Sequence, residues 1–195
     1  MTKQELRQEI RCRKAACSVE ERARLSAQII ARLRQHPRWS AARTVLLYHS
    51  LPDEVNTHEL IRQSLVEGKR VLLPVVVGDD LELRELTPSP CEPTSSLREG
   101  AFHILEPTGP LFTDYTSIDL AVIPGVAFTP DGRRLGRGRG YYDRLLARLT
   151  PRTSHTFGLA FPFQLLDDLP TEPHDIKLDE IITIETFDNE QASSS

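Results

Sequence analysis

Thr44-Val-Leu-Leu-Tyr48, a helix-like stretch from Thr57 to Gly68, then Val71-Leu-Leu-Pro-Val-Val-Val77: this succession decides the fold. The two outer runs are short, apolar and carry β-branched residues, as strands buried on both faces do. Between them Thr57 stands where a helix cap belongs, Leu60, Ile61 and Leu65 recur at helical spacing, and Gly68 marks a stop. Strand, helix and strand at this spacing predict a βαβ unit with parallel strands and a right-handed crossover. The chain is therefore expected in the α/β class.

Further along the chain, Asp119-Leu-Ala-Val-Ile-Pro-Gly125, Thr156-Phe-Gly-Leu-Ala-Phe161 and Glu180-Ile-Ile-Thr-Ile-Glu185 repeat the strand pattern, and Tyr141 to Leu149 is expected to be helical. Leu81 to Leu86 alternates apolar and charged residues, which predicts a half-exposed strand at the sheet edge, paired as a hairpin. Residues 87–116, with Pro88, Pro90, Pro93, Pro107 and Pro110, predict a long ordered loop over one face, a candidate lid by its length. Upstream, Leu6 and Ile10 among charges predict one helix over residues 2–16. Ser18 with Glu21 offers a capping box for a second helix carrying Leu25, Ile29, Ile30 and Leu33.

The length of 195 residues suits one domain, expected over residues 1–187 with a disordered tail at 188–195. A net charge of -4 argues against a surface built for nucleic acid, so any anion site must be local. Cys12, Cys17 and Cys91 are too few and too scattered for a disulfide framework, which suits a reducing cytoplasm. The opening MTKQELRQEIRCRK is charged from the start and no apolar run is long enough to span a bilayer, so neither a leader nor membrane contact is expected. The expectation is a cytoplasmic monomer whose partners are small molecules.

The chemistry concentrates in Arg133-Arg-Leu-Gly-Arg-Gly-Arg-Gly-Tyr-Tyr-Asp-Arg144, where Gly136, Gly138 and Gly140 alternate among arginines just before a helix. Glycines let backbone amides approach an anion, a helix N-terminus adds partial positive charge, and guanidinium forks pair with phosphate oxygens. A carboxylate beside a polyphosphate would be repelled unless a cation lay between them, so Asp143 is a candidate magnesium ligand. The competing explanation is a solvated turn, or an RNA-binding segment using Arg133, Arg134, Arg137, Arg139 and Arg144. Of Tyr141 and Tyr142, one is expected in the core and the other against a ligand.

Lys3, Arg7 and Arg11 recur at i, i+4 and i+8 and would share one face of the first helix, a stripe that is more often merely solvated. Glu54 follows a strand end, where open α/β sheets bind ligands, although Asp53 or Glu54 could equally cap a turn. Asp175 carries the same ambiguity. The six histidines are spread out with no pair at zinc-ligand spacing, so no zinc is expected.

Taken together, these pieces resemble the 5-formyltetrahydrofolate cyclo-ligase family, also called methenyltetrahydrofolate synthetase, nearly end to end. The resemblance rests on Lys3-x-x-x-Arg7, Ser50-Leu-Pro-Asp-Glu54 with Thr57, Asp119 to Gly125, Arg134-Leu-Gly-Arg-Gly-Arg-Gly-Tyr-Tyr-Asp143 and Asp175-Ile-Lys-Leu-Asp-Glu180. It implies an ATP- and magnesium-dependent ring closure of 5-formyltetrahydrofolate to 5,10-methenyltetrahydrofolate, with ADP and phosphate released. By this resemblance Lys3, Arg7, Arg134, Leu135, Gly136, Arg137, Gly138, Arg139, Gly140, Tyr141 and Tyr142 hold ATP, and Asp143 and Asp175 ligate Mg2+. Glu54 and His49 contact the pterin, and Arg137, Gly138, Arg139, Gly140 and Tyr141 border the folate as well. Arg137 and Tyr141, lying between the two ligands, are the expected catalytic pair. His49 is a departure, since many relatives carry an apolar side chain there. The resemblance also implies a three-layer, open, mostly parallel sheet with helices on both faces, as in sugar-phosphate isomerases and CoA transferases. A sugar-phosphate isomerase on such a scaffold is a further alternative, one that would need no nucleotide.

Overall fold

The computed structural model describes residues 1–87, 97–100, 105–149 and 154–184. The expected βαβ unit is present. Strand β1 (Thr44–Leu46) runs parallel to β2 (Arg70–Val77), with Leu46 opposite Leu72, and helix α4 (His58–Val66) crosses between them. Strand β7 (Leu120–Ile123) lies parallel on the other flank of β1, followed outward by β10 (His155–Leu159) and β11 (Glu180–Ile182), all parallel. Beyond β2 the sheet turns antiparallel through β3 (Asp80–Glu85) and β6 (Leu111–Phe112). The order is thus β11-β10-β7-β1-β2-β3-β6. The chain leaves β1 toward β2 and later returns on the opposite side with β7. That reversal puts a crevice at the carboxyl ends of β1 and β7, where ligands bind in open sheets.

The two-residue period of the strands sorts their side chains into two cores. Val45, Leu47, Val71, Leu73, Leu120 and Val122 pack against α4, α2 (Val19–Gln35) and α3 (Pro37–Ala41). Leu46, Leu72, Ala121 and Ile123 pack on the other face against Leu145 and Leu146 of α5 (Tyr141–Arg148). Three layers result, as expected. Helix α1 (Lys3–Ala16) stands apart: Leu6 and Ile10 join Val126, Ala127, Leu135 and Leu169 around a hairpin of β8 (Ala127–Phe128) and β9 (Arg134–Leu135). This small third core fixes α1 beside the Gly/Arg loop. No helix among the described residues is long and apolar enough to cross a membrane.

Several local expectations are corrected. Residues 87–116 are not simply a loop, since their described part holds β4 (Leu97–Glu99) paired with β5 (Leu105–Pro107), and β6. Strand β3 does form the hairpin with β2, but β6 covers its outer side, so β3 is not the edge. Thr57 occupies the N-cap position of α4 without capping it. Its Oγ1 instead donates to the Tyr48 carbonyl at 2.5 Å and accepts from Ser50 N at 3.1 Å, pinning the loop that follows β1. At Ser18 only the forward cap bond to Glu21 N is present, because the Glu21 carboxylate is drawn to Arg24. A complete capping box occurs one helix earlier, at Thr2 and Glu5. Cys12 and Cys17 carry free thiols. Cys91 and the tail at 188–195 lie outside the described residues.

Candidate active site

The Gly/Arg loop bridges β9 and α5. Gly138 and Gly140 have φ of 102° and 70°, the left-handed region in which a Cβ is strained, and Gly140 is the N-cap of α5 with no side-chain cap. A Cβ on Gly138 would also meet the Arg7 guanidinium at 3.3 Å. Helix α1 braces the loop from behind, with Arg7 Nε donating to the Gly136 carbonyl at 2.9 Å. Lys3 Nζ donates to Asp175 at 3.0 Å and lies 3.2 Å from Glu172. Arg11 points to solvent instead of sharing this face, and buried Lys14 takes its place, reaching Asp53 at 3.1 Å. The helical angle accounts for this: Lys14 follows Arg7 by two turns, whereas Arg11 has drifted off the seam.

A cavity of about 340 Å³ opens in front of the loop at the carboxyl ends of β1, β2 and β7. It is bordered on one side by Arg134 and by Gly136 to Asp143, and on the β1 side by Tyr48, His49 and Glu54. Arg137 crosses between these sides: its Nη2 donates to Asp53 and to Glu54, each at 3.0 Å. The second Glu54 oxygen accepts from Leu51 N at 2.9 Å. Burial alone would raise the Asp53 carboxyl, but the charges of Lys14 and Arg137 outweigh it and hold the group below its usual value. Arg134, with 3% of its side chain exposed, donates to Asp143 at 2.6 Å and to the Pro124 carbonyl at 3.2 Å. Its Nε is buried without a hydrogen-bond partner, an orphan donor of the kind that a bound anion satisfies.

Burial, aided by the Glu54 charge, pushes the Tyr142 hydroxyl well above the usual phenol range. The same causes raise Tyr48. His49 stacks on His58 with ring centroids 3.9 Å apart, and burial together with the His58 charge lowers its pKa to about 4. The imidazole facing the cavity is therefore neutral at physiological pH. Both tyrosines of the pair line the cavity while also packing against the α5 core, so neither belongs to one role alone. Tyr141 Oη donates to the Gly78 carbonyl at 3.4 Å, and the Arg144 guanidinium covers its ring at 5.5 Å.

The cavity thus brings together His49, Glu54, Arg134, Gly136, Arg137, Gly138, Arg139, Gly140, Tyr141, Tyr142 and Asp143. Leu135 is not among them; it is buried against α1 and supports the loop from below. Asp175 lines a second cavity, and of the residues lining the two cavities only Arg134 borders both. Glu172, His174 and Asp175 set oxygen and nitrogen atoms within 4.8 Å of one another beside Lys3. The lining residues that were not predicted are Tyr48 and Leu51 after β1, Leu73, Pro74, Val76 and Leu81 from the β2–β3 hairpin, Leu105 and Glu106 from β5, and Pro124 and Gly125. For Pro124 and Gly125 a signal existed, because they end a predicted strand beside the switch point. For β5 there was none.

An open α/β sheet with a largely apolar cavity at its switch point, closed by a Gly/Arg loop, is the architecture of a small-molecule enzyme. Residues 1–184 match the 5-formyltetrahydrofolate cyclo-ligase family, and the chain belongs to it. It is 32% identical over 189 residues to the mouse 5-formyltetrahydrofolate cyclo-ligase, covering 92% of each chain. To the Escherichia coli K12 protein of that name it is 33% identical, covering 89% of this chain and 96% of the relative. The solution NMR structure of Aquifex aeolicus 5,10-methenyltetrahydrofolate synthetase superimposes with a TM-score of 0.80 at 36% identity, over 94% of this chain and 90% of that one.

Proposed function

We propose that this chain converts 5-formyltetrahydrofolate and ATP into 5,10-methenyltetrahydrofolate, ADP and phosphate. The formyl oxygen is a poor leaving group, so N10 can close the ring only after that oxygen receives the γ-phosphoryl group; attack of N10 on the formyl carbon, with loss of the N10 proton, then breaks the carbon–oxygen bond and expels phosphate. Such chemistry needs positioning and charge stabilisation and no protein nucleophile. The observation that carries the proposal is Arg137 extending from the Gly/Arg loop to Glu54 across one cavity, so that triphosphate and pterin held on either side would meet at its guanidinium. Amides of Gly136 to Gly140, Arg134, Arg7 and Lys3 supply the phosphate side, Glu54 and His49 the pterin side, and Tyr141 the boundary.

The oxygen-rich donors Asp143 and Asp175 suit magnesium, and both flank Arg134, so a triphosphate drawn past Arg134 would approach each of them. Bound there, the ion would neutralise the phosphates. Lys3 and Arg134, which now hold these carboxylates, would turn to phosphate oxygens. RNA binding is disfavoured because Arg133 is paired with Asp131 and Asp168, Arg134 with Asp143, and Arg137 with Asp53 and Glu54, leaving little uncompensated charge for a polyanion. A sugar-phosphate isomerase would have no use for the magnesium ion proposed at Asp143 and Asp175. Incubation with 5-formyltetrahydrofolate and Mg-ATP should raise the near-ultraviolet band of the methenyl product with one ADP formed per ring closed. No band from active folate stock, or a band that grows without ATP, would refute the proposal.

A further inference from the structure

Around the cavity Asp143, Asp53 and Arg137 each have a counter-charge, whereas one buried carboxylate has none among the described residues. Arg134 holds Asp143, Lys14 holds Asp53, and Glu54 holds Arg137. Glu106 on β5 is only 6% exposed and lines the same cavity among Leu73, Pro74, Val76, Leu81 and Leu105, yet no cation pairs with it among the described residues. A carboxylate in such surroundings costs heavily unless hydrogen bonds or a ligand compensate.

Its place is nevertheless built. Leu72 faces β1, its carbonyl taking Leu47 N at 3.0 Å, so by the strand period the polar groups of residues 74 and 76 face the same way, past the end of β1. Pro74 has no N–H to satisfy there, and the N–H of Val76 donates to Glu106 Oε1 at 3.2 Å. Gly100 keeps the room free, since a Cβ on it would lie 1.9 Å from Glu106 Oε2. Chain geometry thus holds at the apolar wall a carboxylate that has a backbone hydrogen bond and no cation partner among the described residues.

We propose that Glu106 is a specificity-determining residue that accepts hydrogen bonds from the ring N–H and exocyclic amino group on one edge of the substrate's pterin. This deepens the cyclo-ligase assignment and rests on it. A carboxylate sets two acceptors side by side, and the pterin edge sets two donors side by side. The matching edge of adenine sets a donor beside an acceptor and pairs less well. Glu54 already spends one oxygen on Leu51 N and the other on Arg137, which leaves Glu106 as the acceptor not committed to a cation.

The test compares binding of 5-formyltetrahydrofolate with that of its analogue lacking the 2-amino group, in the parent protein and in Glu106→Gln, which keeps an oxygen for Val76 N–H. The parent should bind the analogue about 10- to 100-fold more weakly, the range lost with a hydrogen bond to a charged group. In Glu106→Gln that ratio should fall to within about threefold of unity, with the KM for ATP shifted no more than about threefold. Discrimination that persists in Glu106→Gln would overturn the role of Glu106, and so would a loss confined to ATP. A parent that binds both folates but forms no methenyl product would overturn the activity instead, while the binding ratio still decides Glu106. Should Glu106→Gln fail to fold by circular dichroism, Glu106→Asp, which withdraws the carboxylate by one methylene, carries the same comparison.

Discussion

On the loop side of the cavity, Arg134, Arg137 and Asp143 each sit against a counter-charge supplied by this chain. On the opposite side, Leu73, Pro74, Val76, Leu81 and Leu105 present hydrocarbon around one carboxylate. Charged side chains can exchange partners: a phosphate or a metal can replace a carboxylate or a guanidinium at little net cost, because each pair is already formed and partly desolvated. A hydrocarbon wall offers no such exchange. It selects by shape, and its one polar group is correspondingly consequential. The loop side therefore suits a ligand that arrives with charge, and the apolar side a flat heterocycle.

If this division is right, substitutions on the two sides should separate chemistry from stability. The largest effect is expected for Arg137→Ala, which removes the group spanning the cavity: kcat/KM for ring closure should fall about 100- to 1000-fold, as when a transition-state donor is deleted. Its urea midpoint should move little, because half of the side chain is exposed, at 51%. Near-parental turnover would break the assignment of Arg137. Leu73→Ala should do the reverse. Leu73 is 1% exposed in the core under α4, so its truncation should cost about 2–4 kcal/mol in denaturant unfolding. ATP affinity of the folded fraction should stay near that of the parent, and a large loss of it would show that the two walls are not independent.

Gly138→Ala tests the backbone of the loop. The left-handed φ of 102° and the crowding by Arg7 should together cost about 1–2 kcal/mol, with ATP binding weakened by the shifted amides. An alanine variant with parental ATP affinity would mean that those amides do not carry the phosphates. The smallest effect concerns His49. Its pKa is lowered from 6.5 to about 4, so between those values the unfolded chain binds a proton that the folded chain does not. Stability contributed by this position is thus lost as pH falls from about 6.5 toward 4, by about 1–2 kcal/mol after allowance for its partial exposure. In His49→Leu the difference in unfolding free energy between pH 7 and pH 4.5 should shrink by that amount; an unchanged difference would contradict the buried, neutral imidazole.

The same contrast between walls explains what could be known before the fold. The loop side was legible because its residues are contiguous: Gly136 to Asp143 carry their chemistry in one run, and the run stands before a periodic helix. The βαβ unit and the parallel strands were legible for a similar reason, since Val45, Leu47, Val71 and Leu73 are apolar whichever face they take. The apolar wall was not. Leu105 and Glu106 sit in a Pro-, Ser- and Thr-rich segment whose composition suggests loop, and β5 forms only because it finds β4 as a partner and packs on β2. A short strand held by tertiary pairing leaves almost no local signal. The Lys14–Asp53 pair was missed likewise, because helix spacing puts Lys14 on the face of Arg7 but only the way α1 lies against the loop after β1 brings it to Asp53.

The most direct test of the account is a crystal structure of the protein with ADP, Mg2+ and 5-formyltetrahydrofolate bound together. The prediction is that the phosphates lie against the amides of Gly136 to Gly140 with Arg137 released from Glu54, and that the pterin lies flat on Val76 and Leu105. Nucleotide bound away from this loop, or folate outside the β1–β7 crevice, would contradict it.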